Sequence, residues 1–359
     1  MSRLLKKSYD TSTDVALPVI DWSLVGAEKP EQISLPDNQL PQADVAIITW
    51  TSAEWSALDH VFLNSDLERK TDDYEWREYW RPLTVAGQSS PILYYQNVSI
   101  KKENATDKVN VLLVKSEVHL AHSPYIKGVE QLTDLIISQS KVSTIISSGT
   151  AGGSTTEQAL GDVVLTTAAS IRLEKTENTS NCSYNNQTFT GTDFFVDGQL
   201  FDRVKNSLMM PLNTVWNTTS IEASVTELNK KSSTSYTADD LINAPLVPSA
   251  LSTNQIEFAG TQPLLTTDYY FIAQGSTAGK YCFLEMDDAV IAHQCQTAGI
   301  RFGFIRNVSD PVVASTDTKD KPIPEEVRED WSGIIYSLCG FYTTYNSALT
   351  CWAAVRCNL

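Results

Sequence analysis

Residues 283–310 read FLEMDDAVIAHQCQTAGIRFGFIRNVSD, and this stretch decides the fold that the sequence predicts. Apolar residues at helical spacing begin at Met286 and predict a helix that Gly299 ends. The apolar run 300–308 has the length of a strand, and Asp310 follows it. Ligands in open α/β sheets bind at the carboxyl ends of strands, where loops and helix N-termini meet. The acids of this stretch therefore predict a site for a neutral, polyhydroxylated or cationic ligand.

The composition is that of an ordinary globular protein, with 359 residues of which 42% are hydrophobic and 19% charged. The formal net charge of −16 argues against a nucleic-acid-binding surface. No run approaches the ~18 consecutive apolar residues that a membrane helix needs. Residues 1–10 lack the apolar stretch of a secretory signal. We therefore expect a cytoplasmic protein with reduced cysteines that binds neither nucleic acid nor membrane.

Residues 1–42 are polar and contain four prolines, and we interpret them as an extended arm on the core or on a neighbouring subunit. The β-branched run 44–50 predicts a buried first strand. Ser52 is a candidate cap for the helix that follows. Glu54 lies in the first turn of that helix, where an acid complements the helix dipole. Residues 43–359 are predicted to form a single domain.

A glycine-rich segment, GTAGG at 149–153, follows a predicted strand at 142–148 and predicts a tight turn. Its glycines allow the backbone to turn sharply and to approach a ligand closely. The segment matches neither the phosphate loop of nucleotide hydrolases nor the dinucleotide fingerprint. Residues 171–263 are rich in Asn, Ser and Thr. Because a structureless insert of this length would be unusual, we expect strands and short helices there that extend the core and cover the pocket.

Two histidines, His119 and His122, follow a predicted strand at 109–115. Their spacing of three could place both imidazoles on one helix face, as metal sites require. No acid or cysteine partner is evident nearby in the sequence, so we expect no metal here. Residues 331–355 predict a long helix that closes the fold.

Taken together, these motifs resemble the nucleoside phosphorylase and nucleosidase superfamily, which includes purine nucleoside phosphorylases and methylthioadenosine/S-adenosylhomocysteine nucleosidases. The resemblance rests on SGTAGG at 148–153 followed by GDVV at 161–164, on the acid-Met-acid signature at 285–287, and on the strand ending at Ser309-Asp310. The second acid of the signature is usually Glu, so Asp287 is a shortened version.

The fold that this resemblance implies is a three-layer α/β/α arrangement around a central mixed, partly barrel-like sheet. It implies that Asp310 protonates N7 of a leaving purine, because burial can raise the pKa of a carboxylic acid into the useful range. Glu54 would orient and deprotonate water. The positions that the resemblance assigns to substrate binding are Glu285, Met286, Asp287, Arg306, Ser309, Thr150, Ala151, Gly152 and Tyr270. Among them, Met286 and Asp287 would contact the ribose, and Tyr270 would stack on the base.

The nucleophile decides between a hydrolase and a phosphorylase. A phosphate nucleophile needs clustered arginines. Residues 145–148 and 49–53, where bacterial-type phosphorylases carry them, contain no basic residue. We therefore predict a nucleosidase that uses water and needs no metal or other cofactor. A phosphorylase, a non-catalytic nucleoside-binding or storage protein, and an ATP-type nucleosidase in a defence role are the alternatives. A homo-oligomer is expected, because members of this superfamily form dimers, trimers and hexamers.

Overall fold

A mixed sheet forms the centre of the protein in a computed structural model. The model describes residues 16–35, 39–69, 76–79, 91–155, 158–210, 213, 215–242, 254–271 and 279–359. The strands are β1 (Glu31–Gln32), β2 (Val45–Thr49), β3 (Arg77–Tyr79), β4 (Leu93–Lys101), β5 (Lys108–Ser116), β6 (Thr144–Gly153), β7 (Val163–Thr166), β8 (Ala168–Arg172), β9 (Thr188–Thr190), β10 (Ile256–Gly260), β11 (Leu264–Thr267), β12 (Phe283–Glu285) and β13 (Arg301–Pro311).

Eight helices surround this sheet within the described ranges. They are α1 (Ser52–Phe62), α2 (Ile126–Ser140), α3 (Thr176–Thr179), α4 (Gln199–Ser207), α5 (Thr218–Ser232), α6 (Ala238–Ile242), α7 (Asp288–Ala298) and α8 (Glu325–Asn358). Helix α1 packs against α8, and α2 packs against α7. No helix in these ranges is both long and apolar enough to cross a bilayer.

The sheet is mixed and branches at β6. Strand β2 lies between β5 and β6 and is parallel to both, and all five of its residues are buried, as expected for a strand covered on both faces. Strand β13 runs parallel along the whole of β6, while β12 pairs with the end of β6 in the antiparallel sense. The other edge of β13 is antiparallel to β7. The mixed α/β fold class predicted from the sequence is confirmed.

The glycine-rich segment is the main correction to the predicted elements. Strand β6 does not turn at Gly149 but continues through Gly153, because β13 and β12 supply hydrogen-bonding partners along it. The glycines are needed for close approach instead. A Cβ atom at Gly149 would lie 2.4 Å from Cδ of Glu54, and one at Gly152 would lie 2.5 Å from a methyl group of Val312.

Two helix starts also differ from the predictions. Glu285 ends a strand and Met286 lies in a turn, so α7 begins at Asp288 rather than at Met286. Thr51, not Ser52, caps α1, because its hydroxyl accepts a hydrogen bond from the backbone N–H of Glu54. The predicted end of α7 is confirmed, since Gly299 adopts a left-handed φ of 70° there.

The described part of the N-terminal arm packs on the core of its own chain. Leu17 pairs with Arg69, the ring of Trp22 lies 4.5 Å from that of Trp352, and β1 pairs with β4. Residues 1–15 and 36–38 of the predicted arm lie outside the described residues.

The described part of residues 171–263, the predicted insert, holds short helices and strands, as expected from the sequence. Helices α4 and α5 pack against α8, and β10 extends the sheet beside β7. Among the described residues of this segment, Lys175 is the one that lines the cavity at the carboxyl ends of the strands.

Candidate active site

A cavity of about 430 Å³ opens at the carboxyl ends of β2, β11, β12 and β13. This is the edge of the sheet at which the sequence predicted a ligand site. All the site residues proposed from the sequence line the cavity: Asp310, Glu54, Asp287, Met286, Glu285, Arg306, Ser309, Thr150, Ala151, Gly152 and Tyr270.

Glu54 lies in the first turn of α1 and is 2% exposed. Its Oε2 accepts hydrogen bonds from the backbone N–H groups of Trp50 (2.7 Å) and Thr51 (2.9 Å) and from the hydroxyl of Thr49 (3.1 Å). Its Oε1 accepts from the backbone N–H of Thr150 at 2.8 Å and from the hydroxyl of the same residue at 2.6 Å. A carboxylate offers about four lone-pair sites, so these five donors satisfy it fully.

Arg306 is a buried cation whose donors are directed at protein groups. Its Nε donates to Oδ2 of Asp288 at 2.9 Å, and its Nη2 donates to Oδ1 of the same carboxylate. Further donors reach the hydroxyl of Ser147 (2.8 Å), the carbonyl oxygen of Thr150 (3.2 Å) and Glu285 (3.4 Å). The resemblance described above assigns Arg306 to substrate binding. In the structure Arg306 lines the cavity, and its donors neutralise Asp288 and Glu285.

Glu285 holds the turn between β12 and α7. Its Oε2 accepts from the backbone N–H groups of Asp287 (2.6 Å) and Asp288 (3.0 Å), and its Oε1 accepts from the hydroxyl of Thr266. Burial raises the pKa of Glu285, and the neighbouring charge of Asp288 raises it further, while Arg306 opposes both effects. Burial likewise raises the pKa of Asp288. Glu285 thus serves the structure of the turn.

Asp287, the shortened acid, has a histidine partner that the sequence analysis missed. Its Oδ1 accepts from the backbone N–H of Leu120 at 2.9 Å, and its Oδ2 lies 3.0 Å from Nε2 of His119. Asp287 is 2% exposed and His119 is 25% exposed, so the imidazole is the more accessible partner. Burial lowers the pKa of His119, but Asp287 and the other carboxylates of the cavity reverse this effect and raise it above its ordinary value.

His119 and His122 do not lie on one helix face, which the sequence spacing had allowed. His119 and His122 lie ahead of α2 and are not in a helix. The Nδ1 atom of His119 accepts a hydrogen bond from the backbone N–H of Ala121 at 3.0 Å, so its Nε2 carries the proton that is donated to Asp287. Within the described ranges, no group of three or more His, Cys, Asp or Glu side chains is arranged to hold a metal ion.

Asp310 lies one residue before the end of β13 and lines the cavity. Its Oδ1 accepts from the hydroxyl of Ser309 at 2.5 Å, and its Oδ2 accepts from the hydroxyl of Ser332 in α8. Burial raises the pKa of Asp310, and the two hydroxyl groups partly oppose the increase. A carboxyl group with a raised pKa that faces a cavity is suited to donate a proton.

The rim of the cavity is aromatic and charged. The hydroxyl of Tyr270 donates to the carbonyl oxygen of Pro311 at 3.4 Å, which places this ring beside the segment that carries Asp310. Burial raises the pKa of Tyr270, and the nearby Asp310 adds to the increase. Lys175 and Glu329 are exposed lining residues of opposite charge.

Several lining residues were not assigned to the site from the sequence. They are Trp50, Thr51, His119, Lys175, Thr267, Asp268, Tyr269, Phe271, Leu284, Val312, Glu329, Ser332 and Tyr336. The α8 residues Glu329, Ser332 and Tyr336 were not predicted as site residues, because the sequence pattern of this helix indicates only a packing role. His119 had one available signal, its place just after β5.

The fold and the cavity define an α/β protein with a carboxylate-rich site at the ends of its strands. No protein-family model matches the sequence, and no curated protein matches it.

Solved structures of nucleosidases are similar over most of the chain. S-adenosylhomocysteine nucleosidase from Streptococcus pyogenes, in complex with 5-methylthiotubericidin, is 14% identical, with a TM-score of 0.45 over 88% of this chain and 97% of that chain. The 5′-methylthioadenosine/S-adenosylhomocysteine nucleosidase from Helicobacter pylori, with butyl-thio-DADMe-Immucillin-A, is 12% identical, with a TM-score of 0.44 over 87% and 98%. Futalosine hydrolase from the same species is 10% identical, with a TM-score of 0.42 over 85% and 96%. At these identities the likeness concerns the fold alone.

Proposed function

We propose that this protein is a nucleosidase that cleaves the N-glycosidic bond of a purine nucleoside or nucleoside derivative with water. The observation that carries the proposal is the placement of two carboxyl groups, Asp310 and Glu54, on the walls of one cavity. Asp310 has a raised pKa and can act as the acid. Glu54, whose Oε1 accepts from the hydroxyl of Thr150, is the base proposed to take a proton from water.

In the proposed reaction the bond between C1′ of the sugar and N9 of the purine breaks, and a bond between C1′ and the water oxygen forms. Asp310 donates its proton to N7, which makes the purine a better leaving group. Glu54 takes the proton that the water loses. The sugar develops positive charge as the bond lengthens, and the carboxylate of Asp287 stabilises this charge and accepts hydrogen bonds from the sugar hydroxyls.

We prefer water over phosphate as the nucleophile because of where the cationic side chains of the cavity lie and which groups they contact. The basic side chains among its described lining residues are Arg306, Lys175 and His119. Arg306 is bonded to Asp288, and Lys175 is exposed at the rim. The carboxylate of Glu54 lies beside the glycine-rich strand and would repel a phosphate. The same acids disfavour a triphosphate-bearing substrate.

A non-catalytic nucleoside-binding protein is the second candidate. The observation that favours it is the saturation of Glu54 by five hydrogen-bond donors, which leaves no free lone pair for water.

The test is release of free base from a panel of nucleosides and nucleotides, with and without phosphate. The proposal expects release without phosphate, and a loss of about 10²–10⁴-fold in Asp310→Asn, because a general acid contributes that much. Asp202→Asn, at an exposed acid on α4, is the matched control and should keep full activity. Release only with phosphate would establish a phosphorylase, and tight binding without release would establish the binding protein.

A further inference from the structure

Helix α8 places three side chains along the cavity at spacings of three and four residues: Glu329, Ser332 and Tyr336. These spacings put them on one helix face. Ser332 reaches the acid side of the site, where it donates to Asp310. Tyr336 reaches the start of α1, where its hydroxyl donates to Oγ1 of Thr51 at 3.2 Å.

The contact with Thr51 brings Tyr336 to the group that holds Glu54. Thr51 caps α1 and accepts from the backbone N–H of Glu54 at 3.3 Å. Thr150, whose hydroxyl donates to Oε1 of Glu54, lines the same cavity as Tyr336. Burial raises the pKa of Tyr336, and hydrogen bonding with Thr51 and Thr150 opposes the increase. Because a tyrosine hydroxyl has one proton and two lone pairs, it can donate to Thr51 and accept from Thr150 at the same time.

The contacts of Tyr336 matter because all lone pairs of the Glu54 carboxylate are occupied by hydrogen-bond donors. Three of its five donors are backbone N–H groups, which cannot turn away, and the Thr49 hydroxyl is 1% exposed. The hydroxyl of Thr150 is the donor that both faces the cavity and can rotate. Water can therefore reach Oε1 of Glu54 only when this hydroxyl finds another acceptor.

We propose that Tyr336 is a positioning residue of the hydrolytic site, whose oxygen accepts the Thr150 hydroxyl and thereby frees Oε1 of Glu54 for the attacking water. The inference rests on the proposed hydrolysis and adds the step that makes the saturated carboxylate available. The Thr150 proton moves from one hydrogen bond to another, and no covalent bond changes in this step. Throughout this step the hydroxyl of Tyr336 keeps its proton and donates it in the hydrogen bond to Thr51.

The test compares Tyr336→Phe with the wild type on the substrate found by the base-release panel. Loss of the acceptor should lower kcat about tenfold, or about 1.4 kcal/mol, while KM changes by less than about twofold, because the proposed role of this hydroxyl is to free Glu54 and not to bind the substrate. Tyr345→Phe, nine residues further along α8 and 1% exposed, is the matched control and should leave kcat unchanged. Melting temperatures of both variants verify that the ring still packs.

A double-mutant cycle with Thr150→Ala isolates the mechanism. Without the Thr150 hydroxyl, Oε1 of Glu54 no longer needs to be freed, so adding Tyr336→Phe should not lower kcat further. Equal kcat in Tyr336→Phe and the wild type, or additive losses in the double variant, would overturn the inference while leaving the nucleosidase proposal intact. A wild-type protein that releases no base would overturn both.

Discussion

Replacing Arg306 with methionine should destabilise the protein strongly, because it leaves two buried carboxylates without a counter-ion. Arg306 is 2% exposed, Asp288 is 0% exposed and Glu285 is 7% exposed. Removing one partner of a buried ion pair costs about 3–5 kcal/mol. With an unfolding entropy of about 2.1 cal/mol/K per residue, the chain has about 0.75 kcal/mol/K in total. The melting temperature should therefore fall by about 4–7 °C.

Differential scanning calorimetry on four proteins measures this effect and its origin. They are the wild type, Arg306→Met, Asp288→Asn and the double variant. The double variant should be more stable than Arg306→Met alone, with a coupling energy of about 1–3 kcal/mol, since it removes one of the unpaired charges. Arg301→Met is the matched control, because Arg301 lies on the same strand with its guanidinium 5.4 Å from the ring centroid of Phe194, and its surface position is worth about 0.5–1 kcal/mol.

The pH dependence gives a second check on the same reasoning. The folded state raises the pKa of Glu285 and Asp288, so it binds protons that the unfolded chain releases. Stability linked to these groups is therefore lost as the pH rises above the ordinary carboxyl range. Without Arg306 the shift grows, and the deficit of the variant should be larger at pH 8 than at pH 5.5. A melting temperature within about 1 °C of the wild type, or a deficit independent of pH, would refute the assignment of Arg306 as the counter-ion.

Two further predictions concern Glu54 and Asp310, the two carboxyl groups proposed to be catalytic. Gly149→Ala should displace Glu54 and lower kcat at least tenfold, because the new Cβ would lie 2.4 Å from that carboxyl group. Gly333→Ala on α8 is the control, because a Cβ there would have no other atom within 4 Å. This control should raise the free energy of unfolding by about 0.5–1 kcal/mol. Ser332→Ala removes a hydrogen bond to the charged form of Asp310, so the pKa of Asp310 should rise and the pH at which kcat falls on the alkaline side should move upward. A downward shift in the kcat–pH profile would contradict this role of Ser332.

The local sequence was sufficient to predict the elements that carry the site. Buried runs such as 44–50 and 300–308 contain enough apolar, β-branched residues to specify strands, and Gly299 specifies a helix end through its left-handed φ. Where the local prediction failed, long-range pairing was the cause. The glycines at 149–153 indicate a turn in isolation, but β13 and β12 extend the strand through them.

The sequence by itself determined the composition of the site: the acid at the end of β13, the acid turn before α7 and the glutamate at the start of α1. Only the tertiary structure decided how these groups pair. Arg306 bonds Asp288 and not Asp287, Asp287 bonds His119, and the hydroxyl of Tyr336 reaches Thr51 across 285 positions of the chain. The physical reason is that strand and helix periodicity acts over a few residues, whereas the pairing of buried charges and hydroxyls depends on distances set by the packing of the whole sheet and of α8.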